Sequence, residues 1–215
     1  LGGAHVLNPW WLTLTLVWVC LQGAFGALTV TMKLFPAIVT LHLLCGIGLL
    51  ALLTAQAVRY EGWATRPVPQ ASRWGLILAW VLVWIQIALG GWVSTNYAVL
   101  ACTGFPDCNG SWWPAMNWSG FQLWRDLGHT ADGQELPLTA LTTIHVMHRT
   151  AAWLVLAVLV WVGWRLRRVS GMQRTGHLIL SLAALQLATG LSNVVLGWPL
   201  VAAVLHTGGA TAMVW

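Results

Sequence analysis

The residues of this chain with chemistry to offer are histidines set inside apolar stretches. His42, His145, His148, Arg149 and His206 lie within long hydrophobic runs, and His177 lies at the edge of one. An ionisable group inside a membrane is costly and marks a functional position by default. Depth sorts them. His42 and His206 fall about seven residues into their runs and His148 about nine, all three counted from the same side. At about 1.5 Å per residue, each imidazole sits roughly 10–14 Å below that surface. Neutral imidazoles at one height on neighbouring helices suit axial ligation of haem. His148 and His206 form the natural pair. His42 would pair with a histidine outside this sequence. The plainer reading of any one of them is a hydrogen-bonding residue between helices.

A repeat supports the pairing. Leu21-Gln22 returns as Leu185-Gln186, Ala24 as Ala188, Gly26 as Gly190, Val30 as Val194 and Leu41-His42 as Leu205-His206, all at one constant offset. The separation of Gln from His is the same in both copies, with no gap between. A buried amide must find partners, so Gln22 and Gln186 either join helices or touch a cofactor.

The elements that position these residues are membrane spans. Of the 215 residues 58% are hydrophobic and 7% charged, against about 25% charged in soluble domains. About 20 apolar residues cross a bilayer, and six candidate spans cover 10–32, 36–58, 74–96, 139–164, 175–197 and 199–215. The expected fold is all-α, a polytopic membrane helical bundle of parallel duplicated four-helix halves. Six spans are present, and two more are expected before Leu1. Residues 1–70 would supply the last two helices of the N-terminal half, and residues 71–215 the C-terminal four-helix half.

Charge sets the orientation. Arg59, Arg66, Arg73, Arg165, Arg167, Arg168 and Arg174 fall in loops on one side, which should be cytoplasmic. Lys33, Arg125, Asp107, Asp126, Asp132 and Glu135 fall on the other. The loop 97–138 then lies on the outer, periplasmic side of the cell inner membrane. The net charge of +5 reads as topology, and no basic stripe interleaved with aromatics suggests nucleic acid.

Cys102 and Cys108 sit in that loop as Cys-x5-Cys, and an oxidising compartment favours a disulfide, either a structural clip or a thiol relay. Cys20 and Cys45 read as buried packing residues. His145, one turn outward from His148, reads as a wet helix-end residue or a contact to a haem propionate. Arg149 would reach a propionate or pair within the bundle. His5, His129 and His177 read as boundary or loop residues. Glycines such as Gly26, Gly90 and Gly190 permit close helix contact and would make room for a flat macrocycle. Trp118–Leu127 reads as a short amphipathic helix on the membrane surface.

The stretch GGWVSTNYAVLACTGFPDCNGSWWP (90–114), the His-Arg of IHVMHRTAAW (144–153) and the repeated Leu-Gln…Leu-His pattern resemble the haem A synthase family across essentially the whole chain. That resemblance implies an oxidoreductase that converts the ring methyl of haem O to the formyl of haem A for terminal oxidase biogenesis. It implies haem b ligated by His148 and His206, and substrate haem ligated by His42. The family's catalytic glutamate matches no residue of this chain; at the equivalent position of the fourth span stands His145. The fragment alone is therefore expected to be inactive. The implied partners are haem O, a haem O synthase supplying it, a quinol or ferredoxin-like electron donor, membrane lipid and further copies of the chain. The alternative is a bis-histidine haem-b membrane cytochrome transferring electrons from quinol.

Overall fold

In the computed structural model, residues 9–62 and 68–214 are described. His5 and Arg66 lie outside them. The described residues form six α-helices: α1 (Pro9–Thr31), α2 (Pro36–Tyr60), α3 (Gln70–Thr95), α4 (Leu138–Leu166), α5 (Gln173–Val195) and α6 (Leu200–Ala212). The first five are long and apolar enough to cross a membrane, with mean hydropathy of 1.6 to 2.2. The chain is a polytopic helical membrane protein.

Helix formation follows from the solvent. In hydrocarbon every backbone N–H and C=O must be satisfied within the segment, and a helix does this alone. The large apolar side chains accordingly face outward. Leu16, Val30, Trp80, Val160 and Leu200 are exposed, where lipid would cover them. The interior is built from smaller contacts. Val83, Ile87, Val155, Leu159, Val162, Leu166 and Ala183 join α3, α4 and α5. The α4–α5 contact needs glycine. A Cβ on Gly176 would lie 2.7 Å from the carbonyl oxygen of Gly163 and from the Arg167 nitrogen, so the backbones approach as small residues allow.

The helices pack in sequential antiparallel pairs, and two of the connections are copies. In the α1–α2 turn, Lys33 and Leu34 have φ of 49° and 61°; in the α5–α6 turn, Gly197 and Trp198 have φ of 67° and 66°. The Leu34 N–H donates to Thr29 O at 2.8 Å, and the Trp198 N–H to Asn193 O at 2.9 Å. Each residue of the first turn stands at the repeat offset from its counterpart in the second. This six-to-one bond is the Schellman helix stop. Three of the four left-handed residues carry a side chain, at a cost of about 1–2 kcal/mol each.

The α3–α4 connection is a folded cap over that end of the bundle. Arg125 is buried at its centre. It donates to Asn96 Oδ1, to Gly120 O at 2.9 Å and to His129 O at 3.3 Å, and its guanidinium lies 5.6 Å from the Trp92 ring centroid. The Trp92 indole also donates to Gly120 O. Only neutral acceptors face this cation, and burial lowers its pKa. The amphipathic helix expected over Trp118–Leu127 does not form. A 3-10 turn spans Trp118–Phe121, then the backbone extends at Gln122 (φ −63°, ψ 120°). Continuing the helix would carry Arg125 away from Asn96 and Gly120.

Candidate functional site

Each helix pair brings one glutamine against one histidine. Gln22 Nε2 on α1 donates to the backbone carbonyl of His42 on α2 at 2.9 Å. Gln186 Nε2 on α5 donates to that of His206 on α6 at 2.8 Å. Gln86 Nε2 on α3 donates to that of His148 on α4 at 3.1 Å. All three glutamines stand nine residues before the last residue of their helices, so the three histidines lie at one level. His148 is the eleventh residue of α4, while His42 and His206 are the seventh of theirs. The difference is one added outer turn on α4, not added depth.

A glycine backs each ring. A Cβ built on Gly26 would come 3.3 Å from His42 Cε1; on Gly90, 2.9 Å from His148 Cε1; on Gly190, 3.1 Å from His206 Cε1. A larger residue would push each imidazole off its wall. The third unit is not evident from the Leu-Gln…Leu-His repeat because its Gln and His stand 62 residues apart instead of 20. A signal for it is nevertheless present. Gln-x-Ala-x-Gly occurs at 22–26, 86–90 and 186–190.

The units differ at the ring nitrogen Nδ1. His206 Nδ1 lies 2.9 Å from Thr189 Oγ1. His148 Nδ1 lies 3.0 Å from Gln86 Nε2. His42 Nδ1 is buried with no hydrogen-bond partner. In the earlier copy of the repeat, the position equivalent to Thr189 holds Phe25. Thr189 and Gln86 were not singled out from sequence.

His148 and His206 lie within electrostatic range of each other, although α4 and α6 are not among the closely packed helix pairs. His145 is not the wet residue expected. It is 6% exposed, and its Nδ1–H donates to Ala98 O at 2.9 Å. The outer loop folds back over the start of α4 and removes it from solvent. Arg149 is engaged by the same loop. Its Nη1 donates to Gly104 O at 3.1 Å and Asp107 O at 2.8 Å, and its Nη2 to Cys102 O at 3.4 Å.

Cys102 and Cys108 are disulfide-bonded, with Cα atoms 5.0 Å apart. Thr142 Oγ1 donates to Ala101 O at 3.1 Å, and Asn109 Nδ2 to the same oxygen at 2.9 Å. Cys20, expected to be buried, is exposed on the outside of α1, and Cys45 is half-buried. His129 and His177 are exposed, as expected of boundary residues. A small cleft lined by Ser72, Gly75, Trp161 and Arg165 lies at the other end of α3 and α4 and takes no part in the site.

These residues fit haem. His148 and His206 keep part of their surface open, each ring is backed by a glycine with no side chain to block it, and the Thr189 contact leaves the far nitrogen of His206 without a partner. All five acidic residues of the chain lie outside the helices, so the spans described offer imidazoles and no carboxylate.

Fold and site together define a multi-spanning helical membrane protein with one level histidine per helix pair. Residues 4–215 match the family described as "Cytochrome oxidase assembly protein", and the chain belongs to that family. It is 36% identical over 205 residues to a protein named "Heme A synthase" from Shewanella oneidensis, covering 91% of this chain and 60% of that protein. It is 30% identical to one of the same name from Halalkalibacterium halodurans, covering 90% and 60%. It is 31% identical to one from Methylobacterium radiotolerans, covering 86% and 51%. The chain thus spans about 60% or less of the length of these relatives.

Proposed function

We propose that this chain is the larger part of a haem A synthase, an oxidoreductase converting the methyl group of haem O to the formyl group of haem A for terminal oxidase assembly. The observation that carries this reading is the level set of glycine-backed histidines, in a chain whose relatives bear that name. His148 and His206 would hold haem b in a C-terminal unit of residues 71–215. His42, in the unit of residues 1–70, would supply one ligand to the substrate haem. Bound haem would supply one-electron and oxygen chemistry; the protein supplies ligation, orientation and exclusion of water.

The chain's own residues do the positioning. The glutamines fix the height of each histidine through its backbone carbonyl, and the glycines let each ring lie flat against the neighbouring helix. The outer loop, pinned by Arg149, Thr142 and the disulfide, covers the start of α4 and keeps water from His145. Arg149 also places a fixed positive charge next to His148, suited to a haem carboxylate. No carboxylate occurs in the spans described, in keeping with a chain that lacks the family's catalytic glutamate and would be inactive alone.

The Arg-rich helix ends face the cytoplasm and the loop between α3 and α4 faces the periplasm in this reading, which places the protein in the inner membrane. Haem O, a haem O synthase, and a quinol or ferredoxin-like electron donor are the matching partners. The test is chromatography of haems extracted from the full-length protein made in cells that supply haem O. Haem A or its hydroxymethyl precursor supports the reading. Protohaem alone, with haem O in supply, replaces it with an electron-transferring haem-b cytochrome.

A further inference from the structure

We propose that Thr189 is a positioning residue that locks His206 into the one neutral tautomer able to bind iron through Nε2, and that the His42 unit has no such lock. This rests on the reading of His206 as a haem ligand.

The argument is one of proton counting. A threonine hydroxyl has one hydrogen to donate and lone pairs to accept. Thr189 Oγ1 lies 2.7 Å from Leu185 O. Two oxygens that close must share a hydrogen, and the carbonyl has none, so the hydroxyl proton points at Leu185. The 2.9 Å contact between Thr189 Oγ1 and His206 Nδ1 must then use a hydrogen on the ring. Nδ1 is protonated, and the lone pair of the neutral imidazole sits on Nε2. Metal-bound histidines almost always donate their second N–H in this way, which fixes the ring and strengthens its donor nitrogen. Here the arrangement is set before any metal is considered.

Neither other unit repeats it. Gln86 Nε2 lies 3.0 Å from His148 Nδ1, and an amide nitrogen offers the ring no acceptor, so the lock within this pair comes from His206 alone. His42 Nδ1 has no partner, because Phe25 stands where Thr189 stands in the later copy. His206 and His42 are thus distinguished by one side chain at equivalent positions. A haem that stays is held more firmly where one ligand of its pair is locked in this way, and a haem that enters as substrate and leaves as product is served by a histidine without the lock.

The test uses the full-length, haem-loaded protein with Thr189→Val, Thr189→Ser and His206→Ala, reading haem retention against an apo-globin acceptor, the low-spin paramagnetic resonance signal and the midpoint potential. Thr189→Val keeps the shape and removes the acceptor. Retention should fall about 10- to 100-fold, the usual effect of losing such a partner. The potential should move upward as the ring becomes a weaker donor, and Thr189→Ser should match the wild type. Wild-type retention and potential in Thr189→Val, or equal losses in Val and Ser, overturns the tautomer lock. An unchanged low-spin signal in His206→Ala overturns the ligand reading beneath it instead.

Discussion

The α1–α2 and α5–α6 hairpins are the same object built twice, down to the turn. Both end their first helix with the same six-to-one hydrogen bond and two left-handed residues. Both hold a histidine carbonyl with a glutamine amide and back the ring with a glycine. They part company at one atom. His206 Nδ1 has a hydroxyl partner, and His42 Nδ1 is buried with none. Stability does not explain this, since an orphaned buried polar group costs free energy of about 1–3 kcal/mol. A duplicated scaffold can therefore keep its backbone and its cradle while dividing the tasks of permanent and temporary binding by changing a second-layer side chain.

The largest expected effect is at the histidines. His148→Ala or His206→Ala should abolish the low-spin haem signal entirely, whereas His42→Ala should leave it and reduce only the hold on haem O. Optical and paramagnetic resonance spectra of the purified full-length variants decide it. A full signal in both His148→Ala and His206→Ala would remove the distinction between the units.

The glycine cradles give the next effect, and the structure ranks them. An added Cβ at Gly90 comes 2.9 Å from His148, but at Gly26 it comes 3.3 Å from His42. Gly90→Ala should therefore displace a ring outright, while Gly26→Ala should need a shift of only a few tenths of an ångström. Alanine favours a helix over glycine by about 0.5–1 kcal/mol, so Gly90→Ala should lose haem b without losing thermal stability. Equal haem content in Gly90→Ala and wild type would show that the ring has slack on that side.

Gln22→Leu and Gln186→Leu test what the units share. Each removes one interhelical hydrogen bond, and each should cost about 1 kcal/mol. The two losses should match within error in thermal unfolding of the detergent-solubilised protein. A clearly larger loss at Gln186 would mean that the Thr189 contact depends on the same amide, and the shared and divergent parts of the hairpin would not be separable.

Much of this was legible in sequence. Hydropathy gives the first five spans to within a few residues, because lipid enforces helix wherever about 20 apolar residues run together. The repeat gives the first and third hairpins because their turns have the same length. The middle hairpin was hidden by its long outer connection, although Gln86–Gly90 carries the same Gln-x-Ala-x-Gly. The burial of His145 is hidden from sequence for a related reason. Its distance along α4 places it near the helix end, but a loop that folds back and offers its carbonyls cannot be read from periodicity. Arg149 and Arg125 show the same limit, since both satisfy backbone oxygens that only the folded loop presents.

The smallest effect is the most direct break of the comparison. Phe25→Thr would give the first hairpin the missing hydroxyl. In the later copy the threonine donates back to the carbonyl of Leu185, four residues earlier, and the equivalent residue before Phe25 is Leu21. The same back-bond would leave the new oxygen as an acceptor facing His42 Nδ1. Side-chain hydrogen bonds inside membranes average about 0.6 kcal/mol, a factor of about three in binding. Haem O or its product should then be held about threefold more tightly, and where release limits the rate, turnover should slow. Competition with an apo-globin acceptor measures the first quantity and haem A output the second. Tighter binding with unchanged low-spin haem b would show that the two hairpins differ in function through this position. If Phe25→Thr leaves the hold on haem O unchanged, the unpartnered nitrogen of His42 is not what makes its ligand exchangeable.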